Sequence, residues 1–79
     1  MPVLEPAAAP VQLDLHLEQA YLGAERVLAL LRTRGYRLRR LELEAPSSCR
    51  LEVTVQPGEL PLLRARLERI PGVRLEDRR

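Results

Sequence analysis

The chain has 79 residues, a net charge of +2 and a hydrophobic share of 46% that is mostly Leu, Val and Ala, with no Phe or Trp. This length allows one small core and leaves no room for separate catalytic and substrate domains. The only cysteine is Cys49, which excludes an intramolecular disulfide, a CxxC redox motif and a cysteine-rich zinc site. We therefore expect a small cytoplasmic protein.

The first ten residues, "MPVLEPAAAP", combine three prolines with an alanine run and lack the basic start and sustained apolar core of a signal peptide. We expect residues 1–10 to form a flexible N-terminal arm, and residues 11–79 to form a single domain. From Val11 to Glu18 apolar and polar residues alternate, which predicts a strand with one buried face.

The next segment, "AYLGAERVLALLRTRG", has the spacing of an amphipathic helix that ends at Gly35. Its predicted buried face contains Ala24, Val27, Leu28 and Leu31.

Two further alternating runs, Leu41 to Glu44 and Arg50 to Val55, are separated by the turn-forming "APSS", which predicts a hairpin. After "QPGE", a second helical face recurs from Leu60 to Ile70 and ends at a Pro-Gly pair. A last short strand begins at Val73. The buried face of the second helix contains Leu60, Leu63, Leu67 and Ile70.

The order strand, helix, strand, strand, helix, strand predicts an α+β, ferredoxin-like βαββαβ sandwich, with a four-stranded antiparallel sheet and two helices on one face. In this arrangement the strand leucines and valines face the helices. The opposite face is charged, and we interpret it as a solvated surface with ion pairs between strands, each worth about 0.2–1 kcal/mol. It contains Asp14, His16, Glu18, Glu42, Glu44, Arg50, Glu52, Thr54, Arg74 and Glu76.

No set of residues predicts catalysis. His16 is the lone histidine, so we expect a surface side chain and no metal site. Cys49 and the neighbouring serines lie in hairpin-turn sequence without a nucleophile motif or a nearby base. A non-enzymatic protein that needs no cofactor is the resulting prediction.

Arginines cluster at the junction between the first helix and the second strand, and again on the second helix. We interpret them first as a solubilising, ion-paired surface. A site for nucleic acid or another anion is the alternative. The two sets are Arg32, Arg34, Arg37, Arg39 and Arg40, and Arg64, Arg66 and Arg69.

The stretch "RVLALLRTRGYRLRRLELE", together with the ending "LERIPGVRLED", resembles the short regulatory (small) subunit of acetolactate synthase, also called acetohydroxyacid synthase, which is built on an ACT domain. Members of that family have a helix ending in Arg-Arg-Gly-Tyr or Arg-Arg-Gly-Phe, which Arg34, Gly35 and Tyr36 match. Leu38 stands for the family's Ile. The resemblance covers nearly all of residues 11–76 and implies an ACT-like fold.

The same resemblance suggests where an amino acid would bind. ACT domains usually bind it at the loop before the first helix, where Asn or Asp precedes Pro-Gly-Val-Leu. Here Gln19 stands at the Asn position, Leu22 at the glycine position, and Gly23 follows it. Arg37 replaces an Asn of the second strand. The ligand-binding residues implied are Gln19, Leu22, Gly23, Ala24, Arg37 and Leu38, and Arg37 is expected to contact a carboxylate across a dimer groove.

Three functions remain open on the sequence. The first is a regulatory subunit of an amino-acid biosynthetic enzyme such as acetolactate synthase, paired through its sheet edges as a homodimer and contacting a larger catalytic subunit. The second is a free-standing ACT homodimer that binds an amino acid or other small molecule. The third is a small arginine-rich nucleic-acid-binding protein. The first two are favoured over the third, and no membrane association is expected.

Overall fold

The computed structural model describes residues 9–44 and 46–76. Their elements follow the predicted order and form one four-stranded antiparallel sheet with the strand order β2-β3-β1-β4, a ferredoxin-like arrangement. The elements are β1 (Ala9–Leu17), α1 (Ala20–Arg34), β2 (Arg37–Glu44), β3 (Ser48–Val55), α2 (Leu60–Glu68) and β4 (Val73–Glu76). The predicted fold class is confirmed.

The buried residues of both helices join alternate residues of the strands in a single aliphatic core. Leu15, Leu51 and Leu63 are among its fully buried members. Since the core contains no buried polar or charged side chain within the described residues, it is held together by aliphatic packing.

The predicted stop of the first helix is confirmed, since Gly35 ends α1 with a φ of 78°. The second helix ends earlier than predicted: α2 stops at Glu68 with Arg69 as its C-cap, so Ile70 lies beyond the helix, and Gly72, with a φ of 80°, shapes the turn before β4.

The first strand begins earlier than predicted. Ala9 and Pro10, which we assigned to the N-terminal arm, pair with Val55 and Thr54 of β3. Because β4 pairs only with the stretch from Asp14 to Leu17, the start of β1 has an open edge, where a proline removes no ladder hydrogen bond. The rest of the predicted arm, residues 1–8, lies outside the described part of the chain.

Two predictions about buried faces need correction. Leu28 was placed on the buried face of α1 but is 39% exposed, and Leu43 of β2 is 36% exposed. Both residues lie towards the edge of the sheet formed by β2, where no further strand covers them. Cys49 is not in a turn: it is a buried residue of β3, 2% exposed.

The charged face of the sheet is a solvated surface with the ion pairs we predicted. Arg50 lies 3.4 Å from Asp14 of β1, and Arg39 lies 3.6 Å from Glu52 of β3. None of the helices in residues 9–44 and 46–76 is long and apolar enough to span a membrane.

Candidate ligand-binding site

The junction between β1 and α1 is held from two sides by backbone hydrogen bonds. The Leu17 amide donates to the Ser47 carbonyl at 2.8 Å, and the Glu18 amide donates to the Gly72 carbonyl at 2.9 Å. Gln19 then precedes the first turn of α1 in an extended conformation, and its side chain forms no capping hydrogen bond. These two hydrogen bonds fix the position from which α1 starts. The first backbone amides of the helix have no hydrogen-bond acceptor from the Gln19 side chain.

A depression of about 200 Å³ lies at this junction, between the start of α1 and the turn before β4. The Arg26 guanidinium Nη1 donates a hydrogen bond of 3.4 Å to the Pro71 carbonyl, which connects the helix to the turn across it. The lining residues are Glu18, Gln19, Leu22, Gly23, Arg26, Pro71 and Gly72.

The depression combines two opposite charges with a helix N-terminus. The positive dipole end of α1, which Gln19 does not cap with a side-chain hydrogen bond, favours an anionic group, and Arg26 on the same lining adds a full positive charge. Glu18 supplies a carboxylate on the same lining. A small molecule with both a carboxylate and an ammonium group, such as an amino acid, is the chemical class that matches these charges.

Three of the six predicted ligand-binding residues, Gln19, Leu22 and Gly23, line this depression. Ala24 lies next to them but is only 6% exposed, so its side chain belongs to the core. Gly23 is also packed tightly, since a Cβ built on it would lie 3.1 Å from the Leu17 side chain. Its lack of a side chain is therefore explained by packing.

Arg37 and Leu38, the other two predicted residues, lie on β2, which is separated from β1 by β3. Neither lines the depression at the start of α1. Leu38 instead lines a surface groove between α1 and β2, together with Leu28 and Tyr36. Within one chain, the structure does not bring the two halves of the predicted site together.

Glu18, Arg26 and Gly72 line the depression but were absent from our predicted site. We predicted Glu18 to lie on the solvated sheet face, and we predicted no role for Arg26 beyond its place in the first helix. Their proximity depends on β4 lying beside β1, a pairing between residues more than 50 positions apart. The only sequence signal was the Pro-Gly pair, which we interpreted as a helix stop.

Other reactive side chains form no comparable site. His16 Nδ1 lies 3.3 Å from the Ser47 hydroxyl and 3.9 Å from Glu76, on the solvated sheet face. Burial, with a smaller contribution from Asp14, raises the pKa of the Cys49 thiol to about 11. Within the described residues there is no group of three or more His, Cys, Asp or Glu side chains placed to bind a metal.

The arginines predicted as an alternative site lie partly along a groove between α1 and α2, of about 740 Å³. Its floor includes Leu30, Leu62 and Ile70, and four arginines line it: Arg26, Arg34, Arg66 and Arg69. The Arg66 guanidinium also donates a hydrogen bond of 3.3 Å to the Tyr36 hydroxyl.

No protein-family model, curated protein or solved structure matches this chain. The resemblance to ACT domains therefore stays a prediction that depends on the residues quoted above and on the ferredoxin-like fold.

Proposed function

We propose that this protein is a non-catalytic regulatory module that binds an amino acid, or a similar small zwitterion, at the start of α1. The observation on which the proposal depends is the placement of Glu18 and Arg26 on one small depression beside the N-terminus of α1. Arg26 and the backbone amides at the helix N-terminus bind the carboxylate of the ligand, and Glu18 binds its ammonium group.

The proposal includes the biological setting that the ACT resemblance implies. The module acts as a homodimer paired through its sheet edges, and regulates a larger enzyme of amino-acid biosynthesis such as acetolactate synthase. Its support is the ferredoxin-like topology together with the match of Arg34, Gly35 and Tyr36 to the family's helix end. A free-standing homodimer that binds the same ligand is the alternative, and it needs no catalytic subunit.

A thermal-shift screen of the purified protein against the twenty amino acids tests the ligand. A molecule that binds the folded state and not the unfolded chain raises the melting temperature as its concentration increases. We expect one or two amino acids to do so. If none shifts the transition at millimolar concentration, the amino-acid proposal is wrong. A separate experiment distinguishes the regulatory subunit from the free-standing sensor: a regulatory subunit should co-purify with a large thiamine-diphosphate enzyme, and a free-standing sensor should not.

Nucleic-acid binding is a second candidate function, favoured by the groove with its four arginines between α1 and α2. Phosphate contacts by arginine make affinity fall steeply as salt rises. Fluorescence anisotropy with a labelled single-stranded RNA, repeated from low to high salt, measures this. Arg34→Gln and Arg69→Gln would both reduce the affinity and the salt slope if the groove binds phosphates, whereas Arg74→Gln on the sheet would change neither.

A further inference from the structure

The groove of about 740 Å³ between α1 and α2 has an aliphatic floor that the fold leaves in contact with water. Leu62 is 46% exposed, and Leu30 and Ile70 are half-buried. Aliphatic side chains that remain accessible together along one groove are typical of a docking surface. The floor therefore offers apolar contacts that the described chain does not itself use.

The arginines of this groove alternate with its aliphatic residues at helical spacing. Along α1, Arg26, Leu30 and Arg34 follow each other at every fourth residue, which places them on one side of the helix. On α2, Leu62 and Arg66 have the same spacing. Since all five residues line the groove, both of its walls carry positive charge beside an aliphatic surface.

Two hydrogen bonds show that the positive charge extends along the groove. Arg26 donates to the Pro71 carbonyl beyond the end of α2, and Arg66 donates to the Tyr36 hydroxyl just beyond the end of α1. At a rise of about 1.5 Å per residue, Arg26 and Arg34 lie about 12 Å apart along the axis of α1. A ligand that pairs with all the arginines must therefore carry negative charges spread over a similar length.

None of the four groove arginines forms an ion pair with a carboxylate of residues 9–44 and 46–76. On the sheet face, by contrast, Arg39, Arg40 and Arg50 each lie within 3.6 Å of an acidic side chain. The described residues that line the groove include no Asp or Glu. The positive charge of the groove is thus not neutralised within the described chain, unlike that of the sheet face.

We propose that this groove binds an acidic amphipathic helix of a partner protein. The apolar stripe of that helix contacts Leu30, Leu62 and Ile70, and the carboxylates that border the stripe pair with the four arginines. A guanidinium group matches a carboxylate because it can donate two parallel N–H bonds to it. Arg26 and Arg66 keep further N–H donors for this purpose beyond the hydrogen bonds that they form within the chain.

The groove suits a protein helix better than the nucleic acid considered above. Its described lining contains no aromatic side chain on which a base could stack. Phosphate groups would also leave the aliphatic floor without a partner. A fatty acid or another small anion carries its charge at one end, whereas Arg26 and Arg34 lie towards opposite ends of the groove.

The inference goes beyond the ligand site at the start of α1 and does not depend on it. Arg26 and Pro71 line both the groove and the ligand depression, so a change at either would affect both sites. Arg34, Leu62 and Arg69 line the groove but not the depression, and all three are exposed. Their substitution therefore tests the groove without changing the ligand site.

Fluorescence anisotropy with two labelled synthetic peptides tests the proposal. Both peptides have about 18 residues, enough to form a helix, and both contain the same leucines and glutamates. In the striped peptide the leucines form one face bordered by the glutamates, and in the scattered peptide both types are distributed around the helix. We expect the full-length protein to bind the striped peptide about tenfold more tightly, or better.

Substitutions in the groove should weaken binding of the striped peptide. Arg34→Gln and Arg69→Gln should each do so by about two- to fivefold, as expected for an exposed ion pair. Leu62→Ala should do so by roughly fivefold, because it removes apolar contact area. Arg74→Gln on β4 is the matched control for charge and should bind as the wild type does. All four positions are exposed, so each variant should remain folded by circular dichroism.

A labelled single-stranded RNA, measured at the same salt concentration, tests the other occupant. Tighter binding of the RNA than of the striped peptide would overturn the proposal and assign the groove to nucleic acid. Equal affinity for the two peptides, or a Leu62→Ala variant that binds the striped peptide as the wild type does, would also overturn it. A protein that binds the striped peptide but shows no amino-acid thermal shift would contradict the ligand alone.

Discussion

Glu18 and Gly72 are joined by a backbone hydrogen bond of 2.9 Å from the Glu18 amide to the Gly72 carbonyl. A Cβ placed on Gly72 would also lie 3.6 Å from the Glu18 carboxylate oxygen Oε1. The contact joins the end of β1 to the turn before β4, and both residues line the proposed ligand site. A substitution at Gly72 would therefore change both the backbone conformation of this turn and the lining of the proposed site.

Gly72→Ala is expected to lower both stability and ligand affinity. Its φ of 80° lies in the left-handed region, where a side chain costs roughly 1–2 kcal/mol. Gly35→Ala is the matched control, since Gly35 has a φ of 78° with open space around it and lies outside the depression. Urea denaturation should show a similar loss for both variants. Only Gly72→Ala should reduce the thermal shift produced by the ligand.

Arg26→Gln and Glu18→Gln are each expected to abolish the amino-acid thermal shift, because each removes one of the two charges that match a zwitterion. Both residues are exposed, so the free protein should lose no more than about 0.5 kcal/mol of stability. Arg32→Gln, on the exposed side of the same helix, is the control for charge. An unchanged ligand response in either site variant would remove the depression from consideration as the binding site.

The Cys49 thiol should make stability fall at high pH. Burial and Asp14 raise the pKa of Cys49 from 9.0 to about 11, so the folded state favours the neutral thiol. The contribution of this thiol to the free energy of unfolding is fully present below pH 9. It is lost as the pH rises towards 11, and the loss reaches up to about 3 kcal/mol. The difference in unfolding free energy between wild type and Cys49→Ala, measured across this range, isolates it from tyrosine titration.

Gly23→Val should destabilise the fold by about 1–3 kcal/mol, since the added side chain would overlap Leu17, which is fully buried. Glu25→Val, two residues later on the exposed surface of α1, controls for the lower helix propensity of valine. Equal losses of unfolding free energy in the two variants, measured by urea denaturation, would mean that the Leu17 contact does not restrict position 23.

The order and type of all six elements were predictable because alternation and helical spacing are local properties of the chain. The errors concern features that depend on tertiary contacts, which local patterns do not show. Leu43 follows the strand alternation yet is 36% exposed, because burial depends on whether another element covers the edge. Pro10 was assigned to the arm because proline disfavours strands, but the structure gives it an open edge.

The residues of the candidate site also fall into two groups, those that the local sequence predicts and those that only tertiary packing brings together. Gln19, Leu22 and Gly23 were predictable because they are consecutive or nearly so at the start of one helix. The sequence shows that Glu18 and Arg26 are charged. The sequence around them does not indicate that the distant turn at Gly72 packs beside them. That proximity arises from the pairing of β1 with β4, the two strands furthest apart in the sequence.

The sequence by itself determined the order and type of the elements, the end of α1 at Gly35 and the charge order along β2, because these depend on side-chain spacing and backbone preference over a few residues. Only the tertiary structure decided that β2 is an open edge, that Cys49 is buried and that Glu18 and Arg26 share a depression. Each of these depends on which distant segments pack together, and the free energy of that packing is summed over the whole core.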